Sequence, residues 1–205
     1  ALHEPAPLQT AAERALLERV RPHWLGRQQR RHDRSDLEGP CNLVIGLNDI
    51  HAQLLEKRPQ HCATLMLDAS AGGARLICNS DQGAHLPVGQ LVLVLADSGT
   101  PTLALVRWRH QNAEGLHLGL RYLKGLPRPV WLRRAPSAQT HPGVMQSTPA
   151  PGNGWHHGLW LPNGQFVEGE NLWLQLASVN NQAILPLPAS NLCTPSVSRY
   201  PLRLA

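Results

Sequence analysis

Short apolar runs separated by turn residues recur from residue 40 onward, and this pattern most constrains the fold. Side chains alternate with the period of a β-strand, as in the run at 90–95, where leucines at 91, 93 and 95 alternate with valines at 92 and 94. Eighteen prolines and 17 glycines among 205 residues suit many short strands joined by turns. Six such strands indicate a closed antiparallel barrel. The predicted strands are 40–46, 62–67, 73–78, 90–95, 102–109 and 116–123.

Two segments carry helical signals within this mainly β sequence. Thr10 and Glu13 form a capping box ahead of an apolar run that Pro22 ends, which predicts a short N-terminal helix. Asn48 or Asp49 can cap a helical insert after the first strand. The insert is expected to end before the proline at position 59.

The C-terminal part begins with a proline-rich segment at 125–157, which predicts a linker with short strands at 130–132 and 144–145. Four further runs predict a second small β-barrel or sandwich: 159–161, 171–176, 182–187 and 200–204. The predicted organisation has three parts: a helical lead-in at 1–26, a barrel at 27–126, and the linker with its second β-domain at 127–205.

Net charge and cysteine content indicate which class of partner and which cellular compartment to expect. The formal net charge of +5 favours an anionic partner, and the densest basic cluster is at 27–34. This modest charge favours a nucleotide over a long nucleic acid, which usually requires a broad basic stripe. Four scattered cysteines without a C-x-x-C pair indicate buried, reduced thiols in a cytoplasmic protein. No apolar run approaches 18 residues, so no membrane span is expected.

Two arginines, Arg30 and Arg34, form an R-x-x-x-R motif with residue types suited to guanine and phosphate. An arginine fork satisfies the O6 and N7 acceptors of guanine together, and it also binds phosphate through two parallel bonds. The guanidinium plane stacks on a purine face. Two arginines four residues apart can therefore grip a nucleotide through its base and its phosphate.

A second motif, D-x-S-x-x-G, follows 34 residues later with Asp68, Ser70 and Gly73. The Asp68 carboxylate can accept both N–H groups of the guanine Watson–Crick edge. Ser70 can either bind a phosphate oxygen or tie down the loop. Gly72 and Gly73 are expected to supply positive φ and close backbone approach.

Together the two motifs resemble the signature of the PilZ family, bacterial receptors for cyclic di-GMP. The resemblance extends to Trp108 and to the Gly119–Tyr122 ending of the last barrel strands. It implies a PilZ-like antiparallel barrel that binds one or two molecules of cyclic di-GMP, with no further cofactor. The residues that it implicates are Arg30, Arg34, Asp68, Ser70, Gly72 and Gly73, with Arg27 and Arg31 available for a second ligand copy.

The predicted function is that of a non-enzymatic receptor with a downstream protein partner and no metal. Residues 26–37 carry almost no apolar side chain, so we expect ligand to order them and reorient the segment before them. Adjacent His156 and His157 point to opposite faces of an extended segment, which argues against a metal site. A single-stranded nucleic-acid-binding barrel is the main alternative, and an interaction domain with a lost nucleotide site is a third. The chain begins without Met, so it can be a piece of a longer protein.

Overall fold

Thirteen strands and one helix are found in the part of the chain that the structure describes. The computed structural model describes residue 15 and residues 38–79, 86–96, 99–152, 154–177 and 182–202. By its internal contacts the chain divides into two compact units, Ala1–Asp33 and Arg34–Ala205. The predicted N-terminal helix, apart from residue 15, lies outside the described residues.

The first six strands close into an antiparallel barrel in the order β1-β2-β3-β6-β5-β4, which confirms the predicted architecture. β2 and β5 are longer than predicted. β2 continues its pairing with β3 through Ser70, and the exposed polar end of β5 continues its pairing with β6 through Asn112. The barrel strands are β1 Gly39–Ile45, β2 Cys62–Ser70, β3 Gly73–Cys78, β4 Leu91–Ala96, β5 Thr102–Asn112 and β6 Gly115–Tyr122.

The helical insert is confirmed as α1, Leu47–Leu54, but the predicted cap is wrong. Gly46 occupies the N-cap position with φ 87°, and no side chain there bonds the first turn. The positive φ turns the chain directly from β1 into the helix, so Asn48 and Asp49 fall inside the first turn. Asp49 there still complements the positive end of the helix dipole.

Two residues that carry the PilZ resemblance, Trp108 and Gly119, lie side by side on the last two barrel strands. Trp108 of β5 lies opposite Gly119 of β6, beside an irregularity in the ladder at position 107. A Cβ atom at Gly119 would collide with the Trp108 ring, so the indole packs directly on the glycine backbone. The absence of a side chain at Gly119 therefore allows the Trp108 ring to pack closely against β6.

The remaining strands form a seven-stranded sheet in the order β11-β10-β7-β8-β9-β13-β12. Each neighbouring pair in this sheet is antiparallel. Its members are β7 Leu126–Arg133, β8 His141–Pro149, β9 Trp155–Pro162, β10 Asn171–Leu176, β11 Gln182–Pro186, β12 Leu192–Cys193 and β13 Val197–Leu202.

The predicted linker at 125–157 belongs mostly to β7, β8 and β9, so it is not a linker, whereas its two predicted short strands at 130–132 and 144–145 are confirmed as parts of β7 and β8. Pro127 and Pro129 lie in the half of β7 outside its ladder with β10, which begins at Val130, although the Pro129 carbonyl accepts a 3.2 Å hydrogen bond from the N–H of Ala177 just after β10. A proline nitrogen can occupy a strand where it faces no neighbouring strand. Proline content therefore marks a partly unpaired strand here.

One side of the barrel wall is buried on both faces, because the seven-stranded sheet covers its outside. In β4, Val92 and Val94 belong to the barrel core, whereas Leu91 and Leu93 pack in a cluster with Trp160 of the sheet. α1 lies in the same contact region, where the His51 ring is edge-on to the Trp131 ring and the two ring centroids are 4.3 Å apart. Both sheets thus share a hydrophobic cluster within one compact unit. The domain boundary at 126/127 stays a prediction.

A buried glutamine joins the barrel to the sheet through polar contacts. Gln146 Nε2 donates to the carbonyl oxygens of Leu123 at 3.1 Å and Gly125 at 3.4 Å. Its Oε1 accepts a 3.3 Å hydrogen bond from the indole N–H of the buried Trp160. These bonds fix the chain where it leaves β6 and enters β7.

The cysteines follow the expectation of buried thiols in part. Cys41, Cys62 and Cys78 are buried in the barrel, whereas Cys193 at the sheet edge is exposed. Over the described ranges no helix is both long and apolar enough to cross a membrane.

Candidate ligand-binding site

The hairpin between β2 and β3 assembles the D-x-S-x-x-G motif at one end of the barrel. Its turn at Ala71 and Gly72 places Ser70 opposite Gly73 and Asp68 opposite Arg75. The ladder is irregular just before Asp68, which shifts the strand at the start of the motif. Such irregularities re-aim side chains and are frequent beside functional sites.

Ser70 ties down the turn. Its Oγ accepts a hydrogen bond from the Gly72 N–H at 3.3 Å and donates to the Gly73 carbonyl at 3.3 Å. The sequence left two roles open for Ser70, binding a phosphate oxygen or stabilising the loop. These contacts are those of a hydroxyl that stabilises the loop. Ser70 therefore presents the backbone of the turn in a defined shape.

Glycine is required at position 73 because of close approach. A Cβ atom there would collide with the Leu120 carbonyl of β6. The expectation of positive φ at Gly72 and Gly73 is wrong, because neither is among the described glycines with positive φ, and Gly73 lies in the extended strand β3. The neighbouring Gly72 carbonyl accepts a 3.0 Å hydrogen bond from the Tyr122 N–H, which fastens the turn to the end of β6.

Asp68 is buried, with 8% of its surface exposed, and Arg75 contacts its carboxylate. The Arg75 Nε lies 3.0 Å from Asp68 Oδ2, and the Arg75 side chain is 45% exposed. The arginine orients the carboxylate and offsets the cost of burying its charge.

Arg75 is not among the residues that the sequence predicted for the site, yet it contacts the Asp68 carboxylate. A signal for it was present, because a two-residue turn at 71–72 fixes the hairpin register and places position 75 opposite Asp68. Among the predicted site residues, the structure brings Asp68, Ser70, Gly72 and Gly73 together. Arg27, Arg30, Arg31 and Arg34 lie outside the described residues, so their part in the site stays a prediction.

The histidine pair on β9 offers no metal centre. His157 Nδ1 lies 2.8 Å from the Ser147 hydroxyl, and burial lowers the pKa of His157, with a smaller effect from Arg128. Across the described ranges, no three His, Cys, Asp or Glu side chains are grouped to hold a metal ion.

The fold and the motif define a class of protein, a closed β-barrel module that carries a D-x-S-x-x-G hairpin at one end. Residues 28–130 match the family model of the PilZ domain, and the match takes in both the R-x-x-x-R and the D-x-S-x-x-G motifs. The chain belongs to the PilZ domain family, whose members are ligand-binding receptor domains for cyclic di-GMP. A comparison with curated proteins gave no match.

Proposed function

We propose that this protein is a cyclic di-GMP receptor that binds its ligand through Arg30, Arg34 and the hairpin motif of Asp68, Ser70 and Gly73. One observation carries the proposal: the D-x-S-x-x-G hairpin is intact, with its serine and glycine both engaged in shaping the turn. The matched segment also contains R-x-x-x-R.

Each part of the proposed site has a distinct chemical role. Arg30 and Arg34 bind guanine edges, guanine faces and phosphate oxygens as planar cations. Asp68, already oriented by Arg75, accepts hydrogen bonds from a guanine Watson–Crick edge. Ser70 and Gly73 hold the turn in shape so that little is lost in ordering it when ligand binds.

The number of arginines in the segment supports a proposal for the ligand stoichiometry. Arg27 and Arg31 add two cations beside the motif pair. We propose that they serve a second copy of cyclic di-GMP stacked on the first. One or two molecules per barrel are thus expected, and two when the ligand is in excess.

The proposed output is an ordering of the arginine segment that reorients the chain before it. Residues 26–37 are rich in charge and carry few apolar groups, so they gain partners for their side chains mainly from the ligand. Anionic phosphates and guanine edges supply those partners. A downstream protein that recognises the ordered state would complete the signal, in the cytoplasm.

A single-stranded nucleic-acid-binding barrel is the alternative. The observation that favours it is the exposure of two tryptophans, Trp108 and Trp155, since exposed aromatics can stack on bases. The modest net charge and the motif pair favour the dinucleotide.

Isothermal titration calorimetry decides between these functions. Cyclic di-GMP should bind tightly, whereas GTP and a short single-stranded oligonucleotide should bind at least tenfold more weakly. Absence of both heat and thermal stabilisation with cyclic di-GMP would refute the receptor proposal. Preferential binding of the oligonucleotide would establish the alternative.

A further inference from the structure

A cleft of about 550 Å³ adjoins the hairpin motif, between the turn and the start of the seven-stranded sheet. Ala71 of the motif turn lines it, together with Tyr122, whose N–H bonds the turn. Its far wall comes from Leu126 and Trp155 of β7 and β9. The cleft therefore continues the surface of the proposed ligand site onto strands outside the barrel.

The chemistry of the lining suits an anionic aromatic ligand. Trp155 is 60% exposed and Leu126 is 55% exposed, although large apolar side chains are usually buried. Lys124 and Arg128 supply positive charge, and among the described residues that line the cleft none is acidic. An exposed indole beside two cations can hold a base by stacking and a phosphate by charge.

The cationic surface extends past this cleft. A neighbouring cleft of about 480 Å³ shares Lys124 with the first and adds Arg121 and Arg199. Arg121 lies opposite Gly73 in the barrel ladder, so positive charge reaches the motif itself. The described part of the molecule thus offers a positively charged surface from the hairpin to the sheet.

We propose that this cleft is a second contact surface for the bound nucleotide, with Trp155 stacking on one of its purine bases and Arg128 binding one of its phosphates. The inference rests on the proposed function and extends it, because it assigns ligand contacts to the seven-stranded sheet. The sheet then helps determine affinity, in addition to covering the barrel.

Calorimetry with cyclic di-GMP on matched variants tests the assignment. Trp155→Leu keeps an apolar side chain but removes the ring, and it should weaken binding about 5- to 150-fold, the usual worth of a base–aromatic stack. Trp155→Phe keeps a ring and should stay within about threefold of the wild type. Arg128→Ala should weaken binding about tenfold or more, whereas Arg133→Ala, farther along the same strand, should not change it.

The outcomes separate this inference from the proposed function. If the wild type binds and Trp155→Leu and Arg128→Ala bind equally well, the cleft assignment is wrong and the receptor proposal stands. If Trp155→Phe loses as much as Trp155→Leu, stacking is refuted. If the wild type does not bind cyclic di-GMP, both proposals fall. Because Trp155 is largely exposed, thermal unfolding should show all variants folded.

Discussion

At the scale of single residues, the hairpin motif separates into side chains that shape the turn and side chains that can meet a ligand. Ser70 and Gly73 make their contacts inside the protein. Asp68 is oriented by a cross-strand arginine. The sequence indicates no structural role for the two arginines of R-x-x-x-R. Substitutions of these arginines should therefore have different consequences from substitutions of the turn residues.

Replacing Arg30 or Arg34 by alanine should abolish or greatly weaken ligand binding and leave thermal stability unchanged. Truncating a charged contact that loses its water on binding typically costs about 2–5 kcal/mol, or roughly 30- to 5,000-fold in affinity. Calorimetric titration measures this loss. Arg133→Ala is the control, and a loss there equal to that of Arg34→Ala would favour generic electrostatics.

Gly73→Ala should destabilise the protein, because its methyl group would collide with the Leu120 carbonyl. Overpacking of this kind typically costs about 1–3 kcal/mol. Gly39→Ala is a matched control in β1, since no neighbouring atom lies within 4 Å of the added carbon. Urea denaturation compares the two free energies of unfolding, and equal values would show that β3 and β6 separate freely at this point.

At the scale of elements, periodicity predicted the barrel strands but not their partners. The apolar run of β4 was readable as a strand, yet only the structure shows that its two faces enter different clusters. The prolines of β7 predicted a linker, because sequence alone does not reveal which side of a strand lacks a neighbour. α1 was predicted as an insert, whereas its contact with the sheet through His51 and Trp131 was not.

The contact between α1 and the sheet should make stability depend on pH through His51. Burial lowers the pKa of His51 and the nearby Lys57 lowers it further, although a hydrogen bond to the Val130 backbone opposes the shift. No described group bonds its buried Nε2. Protonation would therefore add a buried N–H without an acceptor.

Because the folded pKa lies below the ordinary value of 6.5, the unfolded chain binds more protons under acidic conditions. The stability that neutral His51 contributes is fully present above pH 6.5 and is lost as the pH falls below 6.5. Urea denaturation between about pH 7.5 and about pH 5.5 should show a fall in unfolding free energy. His51→Leu should reduce this fall, leaving the part from His157, whose pKa is also lowered. An identical pH dependence in His51→Leu would contradict the assignment.

At the scale of the whole molecule, the barrel and the seven-stranded sheet depend on each other. Leu91, Leu93, Leu103 and Leu105 of the barrel wall are buried in the cluster that contains Trp160. Exposing a leucine side chain costs about 1.5–3 kcal/mol, so exposing all four would consume much of the stability of an ordinary domain, about 5–15 kcal/mol.

A chain ending at Lys124 should therefore fail to fold stably, although it contains all six barrel strands. Circular dichroism and thermal unfolding, alongside the full chain, measure the difference. We expect aggregation or a broad, early transition for the fragment. A cooperative transition at the midpoint of the full chain would show instead that the barrel is an independent domain, as the predicted boundary at 126/127 implies.

Limited proteolysis tests the proposed ordering of the arginine segment. Arg27, Arg30, Arg31 and Arg34 are all trypsin sites, and saturating cyclic di-GMP should strongly slow cleavage there. Asp68→Ala is a matched control because it keeps every cleavage site and weakens the ligand site. Equal cleavage with and without ligand, in a protein shown to bind it, would refute the ordering mechanism.

The sequence by itself determined the mainly β class, the six barrel strands and the two motifs, because each is encoded over a few neighbouring residues by periodicity or fixed spacing. Only the tertiary structure decided what covers the barrel, since the cluster that contains Leu91, Leu93 and Trp160 joins positions far apart in the chain. The position of Arg75 could have been predicted from the sequence in part, because a two-residue turn at 71–72 sets the strand register that places it opposite Asp68. The cleft at Trp155 required the full fold, because its walls come from five strands, β5 to β9, and from the connecting segments beside them, including the motif turn.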